Sequence, residues 1–272
     1  MGASLLPALL PAGASQIRIG TSGYSFEDWR GVFYPERIGR GRMLDFYSGE
    51  FDTVEVNSSY YRIMHPRVSE AMVAKTPDGF TFFLKLHESM THSRDASGGS
   101  WRDFHAMLRP FAEAGKLSGL LAQFPYSFRP SDEAFAHLSD LGRRVEGIPL
   151  AAEYRNADWF VSEHLSRTSD MGIAPVSVDA PALKGLPPRI AVGGLPFGYM
   201  RFHGRNAGHW WEGGALRYDY DYSEAELSEW MPGIRSLVEK SGKVFVFFNN
   251  CHLGQAVRGA RIMKGLVEEM ER

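Results

Sequence analysis

One cysteine, Cys251, stands among 272 residues. It has no partner for an internal disulfide, and the chain offers no cysteine cluster for a structural zinc or an iron–sulfur centre. That scarcity fits a reducing, cytoplasmic setting. Charge of one sign is lacking too. With 30 basic against 32 acidic side chains the net charge is −2, so no global field gathers nucleic acid and any anion site must be local. Long hydrophobic runs are missing as well. The apolar stretch from Leu5 to Ala14 follows no basic segment, is shorter than a membrane span and contains Pro7 and Pro11. It reads as a flexible extension over residues 1–16 rather than a signal peptide, and no membrane association is expected.

What is present is a pattern. Short β-branched or aromatic runs recur at Ile17–Gly20, Thr53–Asn57, Thr81–Lys85, Gly119–Phe124, Leu150–Arg155, Ala174–Asp179, Gly198–His203 and Lys243–Asn249. Between them, Met43–Phe51, Val68–Lys75, Trp101–Ala114, Asp132–Val145, Glu163–Met171, Glu224–Lys240 and Gln255–Glu269 carry helical periodicity. Ser100, Ser131, Ser162 and Ser223 stand where N-caps are expected. After the sixth run Pro181, Pro187 and Pro188 interrupt the linker, so the helix there is expected to be short or missing. Eight strand–helix units over this length predict a single (β/α)₈ barrel spanning residues 17–272.

Each expected strand ends in a hydrogen-bonding or ionisable group, and in barrel enzymes that end carries the site. Strand two brings Glu55 and Asn57, strand three Lys85, strand four Gln123, strand five Glu153 and Arg155. Strand six brings Asp179, strand seven Arg201 and His203, strand eight Asn249. Period-two alternation puts Glu55 with Asn57, Glu153 with Arg155, and Arg201 with His203 on shared faces. Buried together, these charges must pair, because removing each from water costs several kcal/mol. The competing reading is a structural plug of ion pairs, but such a plug has no need to recur at one end of every strand.

The runs Ile19-Gly20-Thr21-Ser22-Gly23-Tyr24, Phe33-Tyr34-Pro35, Thr53-Val54-Glu55-Val56-Asn57 and Thr91-His92 resemble the YecE-like family, domain of unknown function 72. So do Gln123-Phe124-Pro125, Glu153-Tyr154-Arg155, Val178-Asp179, Arg201-Phe202-His203-Gly204 and Phe248-Asn249-Asn250. The resemblance runs from about Ile17 to about Met263 and implies a barrel. It implies no reaction, since the family has none assigned. Ser58-Ser59-Tyr60-Tyr61 departs mildly from the family's pattern.

The ring suits an enzyme acting on a small anionic or sugar-like metabolite. Lys85, Arg155 and Arg201 would hold the anionic group, Glu55 or Glu153 would serve as base and His203 as proton donor. Asp179 completes the candidate catalytic set. Tyr24 and Trp29 in the loop after strand one, with Asn57, Gln123 and Asn249, would contact substrate. No cofactor is required. Three alternatives use the same mouth. Glu55, Glu153, Asp179 and His203 could ligate a divalent metal. Glu55 and Glu153 could be the paired carboxylates of a glycoside hydrolase. A non-enzyme could hold a nucleic-acid strand or a protein, with Arg37, Arg40 and Arg42 near phosphates, although the lack of a basic run makes general nucleic-acid binding unlikely on charge grounds. Oligomeric state stays open.

Overall fold

Eight runs of residues buried on both faces can only be strands covered on both sides, and this is what the computed structural model contains. It describes residues 16–212 and 214–272; the expected extension, Gln16 apart, lies outside them. The strands are β1 Ile17–Thr21, β2 Thr53–Val56, β3 Thr81–Lys85, β4 Leu117–Gln123, β5 Leu150–Glu153, β6 Ile173–Asp179, β7 Gly198–Phe202 and β8 Val244–Phe248. The helices are α1 Met43–Tyr47, α2 Ser58–Tyr61, α3 Pro66–Ala74, α4 Glu88–Thr91, α5 Gly98–Glu113, α6 Asp132–Arg144, α7 Ser162–Asp170, α8 Glu224–Ser228, α9 Met231–Ser241 and α10 Gln255–Glu271. No helix joins β6 to β7, as the prolines there predict.

Every neighbouring pair is parallel, in the order β1-β8-β7-β6-β5-β4-β3-β2. The two ends of that order meet at a bridge between Ser22 and Glu55, so the sheet curls into a nearly closed (β/α)₈ barrel. The seam has an unusual filler. Tyr47 from α1 inserts its hydroxyl between β1 and β2, accepting from the Thr21 N–H at 2.9 Å and donating to the Thr53 carbonyl at 3.1 Å. Gly20 permits the approach, since a Cβ there would stand 2.3 Å from the Thr53 carbonyl oxygen.

Two cores result. The outer one packs helices against the outward faces of the strands, with Val54, Leu84, Leu120, Met200 and Phe248 among its members. The inner one fills the barrel with Phe83, Leu121, Ala151, Val176, Val178, Tyr199, Phe245 and Phe247. Phe83 takes the centre because Gly119 leaves it room; a Cβ at Gly119 would meet its ring at 2.5 Å. The barrel is thus plugged from below, and chemistry is confined to the mouth.

Three local expectations need correction. The cap of α5 is Ser97, which accepts from the Ser100 N–H, so the helix starts one turn earlier than Ser100 predicts. Ser162 is the first residue of α7, after an uncapped Val161. The helix expected over Glu224–Lys240 is broken after Ser228 into α8 and α9, because Pro232 has no N–H for the Ser228 carbonyl and its ring would clash with it; Trp230, at the break, turns inward to donate to Asp179. Ser131 and Ser223 do cap their helices, Ser223 in a reciprocal box with Glu226.

Candidate functional site

At the mouth, Arg201 on β7 is wholly buried and bridges two wholly buried carboxylates. Its Nη2 lies 2.6 Å from Glu55 Oε1 on β2 and its Nη1 2.5 Å from Glu153 Oε2 on β5. Glu55 Oε2 accepts from the Tyr199 hydroxyl at 2.6 Å. Glu153 Oε1 lies 2.6 Å from Arg155 Nε and 3.2 Å from His203 Nε2. Burial alone would raise the Glu153 pKa, but Arg155, Arg201 and His203 outweigh it and hold the carboxyl well below its ordinary range. Burial likewise opposes charge on Arg201, and Glu153 with Glu55 overcomes that and raises its pKa. For Tyr199, burial and then Glu55 push the hydroxyl well above its usual value, so it stays a donor.

The histidine's proton can be placed from its neighbours. Asn249 Oδ1 accepts from Arg201 Nη2 and Asn57 Nδ2, each at 3.4 Å. Its Nδ2 therefore faces His203 Nδ1, at 3.0 Å, and that ring nitrogen must accept. The proton then sits on Nε2, 3.2 Å from Glu153 Oε1. Burial, reinforced by Arg155, lowers the His203 pKa to about 3, so the ring is neutral at ordinary pH. It does not hold an acidic proton toward the opening, contrary to the expected donor role; it holds Glu153.

Lys85 on β3 differs from the other cations. Its ammonium donates to Gln123 Oε1 at 2.6 Å and lies 4.1 Å from the centroid of the Tyr60 ring on α2. No carboxylate among the described residues forms an ion pair with it. Burial first, then Arg201, bring its pKa down to about 7, with Glu153 pulling the other way and Arg155 reinforcing the fall. Arg155 is half-buried; its Nε is committed to Glu153, and its guanidinium lies 5.9 Å from the Trp210 ring centroid.

Beside this ring a cavity of about 550 Å³ opens over β1, β2 and β8. Ser22, Asn57 and Asn249 connect it to the ring, and Tyr24, Phe26, Tyr61 and Tyr218 supply flat faces. Tyr60, Tyr61 and Tyr218 were not among the expected site residues. The signal for the first two was their position one helical turn after Asn57; Tyr218 lies in a long loop with no periodic pattern.

Two expected residues do not join the site. Trp29 is wholly buried, packs against Phe26, Phe33 and Tyr34, and donates Nε1 to the Cys251 carbonyl at 2.6 Å. It supports the loop that carries Tyr24 without reaching the cavity. Asp179 lies on the outward face of β6, because Val178 occupies the interior. There it accepts from Arg205 Nη2 at 2.8 Å, Tyr222 at 2.7 Å and Trp230 at 2.7 Å.

With Asp179 turned away and both glutamates ion-paired to arginines, the expected metal ligands are not convergent. Among the described residues no group of three or more His, Cys, Asp and Glu is arranged to hold a metal ion. The glycosidase reading needs one carboxyl protonated and open to the leaving group; Glu153 is held ionised, and Glu55 is wholly buried with one oxygen on Arg201 and the other accepting from Tyr199. Cys251 is half-buried with its thiol pKa raised, by burial first and then by Glu55, which makes it a poor nucleophile. Arg37, Arg40 and Arg42 are exposed, and Arg40 is paired with Glu27 at 2.6 Å. No helix among the described residues is long and apolar enough to cross a membrane.

Comparison with known proteins converges on one family. The model described as "Protein of unknown function DUF72" matches residues 18–272. The UPF0759 protein YunF of Bacillus subtilis is 30% identical over 273 residues, covering 93% of this chain and 95% of its own. A DUF72 family protein from Thermotoga maritima superposes with a TM-score of 0.85 at 36% identity, covering 93% of this chain and 99% of that one. A DUF72 family protein from Enterococcus faecalis reaches 0.81 at 25% identity, with 93% and 95% covered. But for Ile17 the matched span contains all eight strands of the barrel, and it holds every member of the ring at its mouth; the chain belongs to the DUF72 family.

Proposed function

We propose that the chain is an enzyme that binds a small anionic or sugar-like metabolite at the C-terminal mouth of the barrel and moves a proton on it through Lys85. One observation carries this reading. The mouth holds three cationic side chains, Lys85, Arg155 and Arg201, against two carboxylates, and Arg201 engages both, so Lys85 has no acid of its own. A surplus cation in a water-poor site is stabilised by an anion from outside. Arg155 stands beside it with a planar fork suited to a carboxylate or phosphate.

In this arrangement Glu55, Glu153 and His203 are positioning residues. They fix Arg201 and Arg155, and both carboxylates are wholly buried beneath the opening, where they are poorly placed to act as base. Lys85, with a pKa near neutrality, has the strength that general acid–base work favours. The aromatic cavity takes the uncharged part of the ligand against Tyr24 and Tyr61. We take residues 17–272 as one domain, since the mouth needs all eight strands. We place it in the cytoplasm, where a lone thiol is stable. Binding of a nucleic-acid strand is less well supported, because the arginines after β1 are solvated and one is neutralised by Glu27.

A thermal-shift screen of the purified chain with sugar phosphates, small carboxylates, sulfate and neutral sugars tests the reading. A ligand at a hundred times its dissociation constant stabilises by about 2.7 kcal/mol. The expected result is a shift by an anion that disappears in Arg155→Ala. Equal shifts in wild type and mutant would overturn the assignment of the anion to this mouth.

A further inference from the structure

We infer that the Lys85 amine attacks a carbonyl carbon of the bound anionic ligand and joins it as an imine. The inference rests on the anion-binding reading and narrows the substrate class to oxo acids or carbonyl compounds bearing phosphate. Three observations carry it. Lys85 is the inward residue at the C-terminal end of β3, above Phe83, next to the half-buried Gln123 at the opening. It is the one cation of the ring without a carboxylate partner among the described residues, whereas the arginines cannot act as nucleophiles and the glutamates are wholly buried in ion pairs. Its one hydrogen bond, to Gln123, and its contact with the Tyr60 ring fix the side chain, and no other hydrogen-bond partner of its nitrogen is present among the described residues.

The charges facing Lys85 come from every side: Glu55 on β2, Glu153 and Arg155 on β5, Arg201 on β7, and His92 after α4. Burial first, and then Arg201 and Arg155 against Glu153 and Glu55, bring the amine down to about 7, so a neutral fraction is present at ordinary pH. Desolvation beside other cations is a known way to activate a lysine. In the step itself, the nitrogen lone pair forms a C–N bond and the carbonyl π pair moves to oxygen. One N–H proton passes to that oxygen. A proton lent by water at the mouth then lets it leave as water, and the second N–H proton is returned as the C=N bond closes. No oxidant or reductant is consumed.

The test uses pyridoxal 5′-phosphate, an aldehyde carrying phosphate, with the full chain at pH 7, followed by borohydride reduction and peptide mapping. The expected result is one adduct per chain on Lys85, no adduct at that site in Lys85→Arg, and labelling slowed about tenfold by sulfate at ten times its dissociation constant. Lys243, before β8 at the opposite end of the barrel, should stay unmodified. Adducts scattered over surface lysines with Lys85 untouched would overturn the inference. Propionaldehyde, which has no anionic group, separates the two readings. Trapping of Lys85 by it without protection by sulfate keeps the nucleophile and sinks the anion site. A sulfate-induced thermal shift with no Lys85 adduct from either aldehyde does the reverse.

Discussion

Arg201 donates to Glu55 and Glu153 from one guanidinium, so its removal strands two wholly buried carboxylates. Arg201→Met is therefore expected to cost about 3–5 kcal/mol in denaturant unfolding, the range for breaking a buried pair on one side. A loss below about 1 kcal/mol would mean that the glutamates find other partners. Lys85→Met should act with the opposite sign. The folded-state pKa of Lys85, about 7, lies below the ordinary 10.5, so the unfolded chain binds the extra proton between these values. Stability from this group is full above 10.5 and is lost as pH falls through 7. Replacing the lysine removes that penalty, so the melting temperature of Lys85→Met should exceed wild type by a few degrees at pH 6 and converge with it near pH 11, as scanning calorimetry at the two pH values would show. A variant that is less stable at pH 6 would contradict the isolated-cation picture. The expected gain in Lys85→Met would mark a residue kept at a cost to the fold, as functional groups often are.

Tyr47 shows at the scale of elements how the barrel closes. Where a ladder would join β1 to β2, its hydroxyl spans the Thr21 N–H and the Thr53 carbonyl. Tyr47→Phe keeps the ring in the outer core but leaves a buried backbone N–H unsatisfied, at a cost of about 1–3 kcal/mol. Hydrogen exchange of the Thr21 amide should accelerate in the variant more than that of Val246 in β8. Equal acceleration would show that the seam is not a local weak point. This closure was not legible in the sequence, because Tyr47 reads as one more apolar position of a short helix. The eight strands were legible, since their runs stand out against the helical periods. Element ends were less so: Ser97 and Ser100 are equally good cap residues, and only the path of the chain after α4 decides between them. The break between α8 and α9 was legible at Pro232, whereas the inward turn of Trp230 toward Asp179 is a contact across 51 positions that no local pattern encodes.

Across the whole molecule, the location of the site follows from the fold, and the partners within it do not. Period-two alternation correctly groups Glu153 with Arg155 and Arg201 with His203 on inward faces. Alternation holds at β6 as well, but the phase is the other one: Ala174, Val176 and Val178 take the interior, all seven residues are buried so hydrophobicity does not mark the inward set, and Asp179 falls outside the barrel. Which carboxylate each arginine takes depends on where β2, β5 and β7 face each other across the interior, and that is set by closure of the sheet. The mouth that results couples anion binding to protonation. Sulfate has no proton to give near neutrality, so any uptake on binding belongs to the protein. With Lys85 half-neutral in the free chain at pH 7, binding should take up about half a proton, rising to nearly one at pH 9. Affinity should then fall about tenfold per pH unit above 7. Titration calorimetry in buffers of different ionisation enthalpy measures both quantities. Binding without uptake, at constant affinity from pH 7 to 9, would mean that Arg155 alone carries the anion and that Lys85 is free to remain neutral beside it.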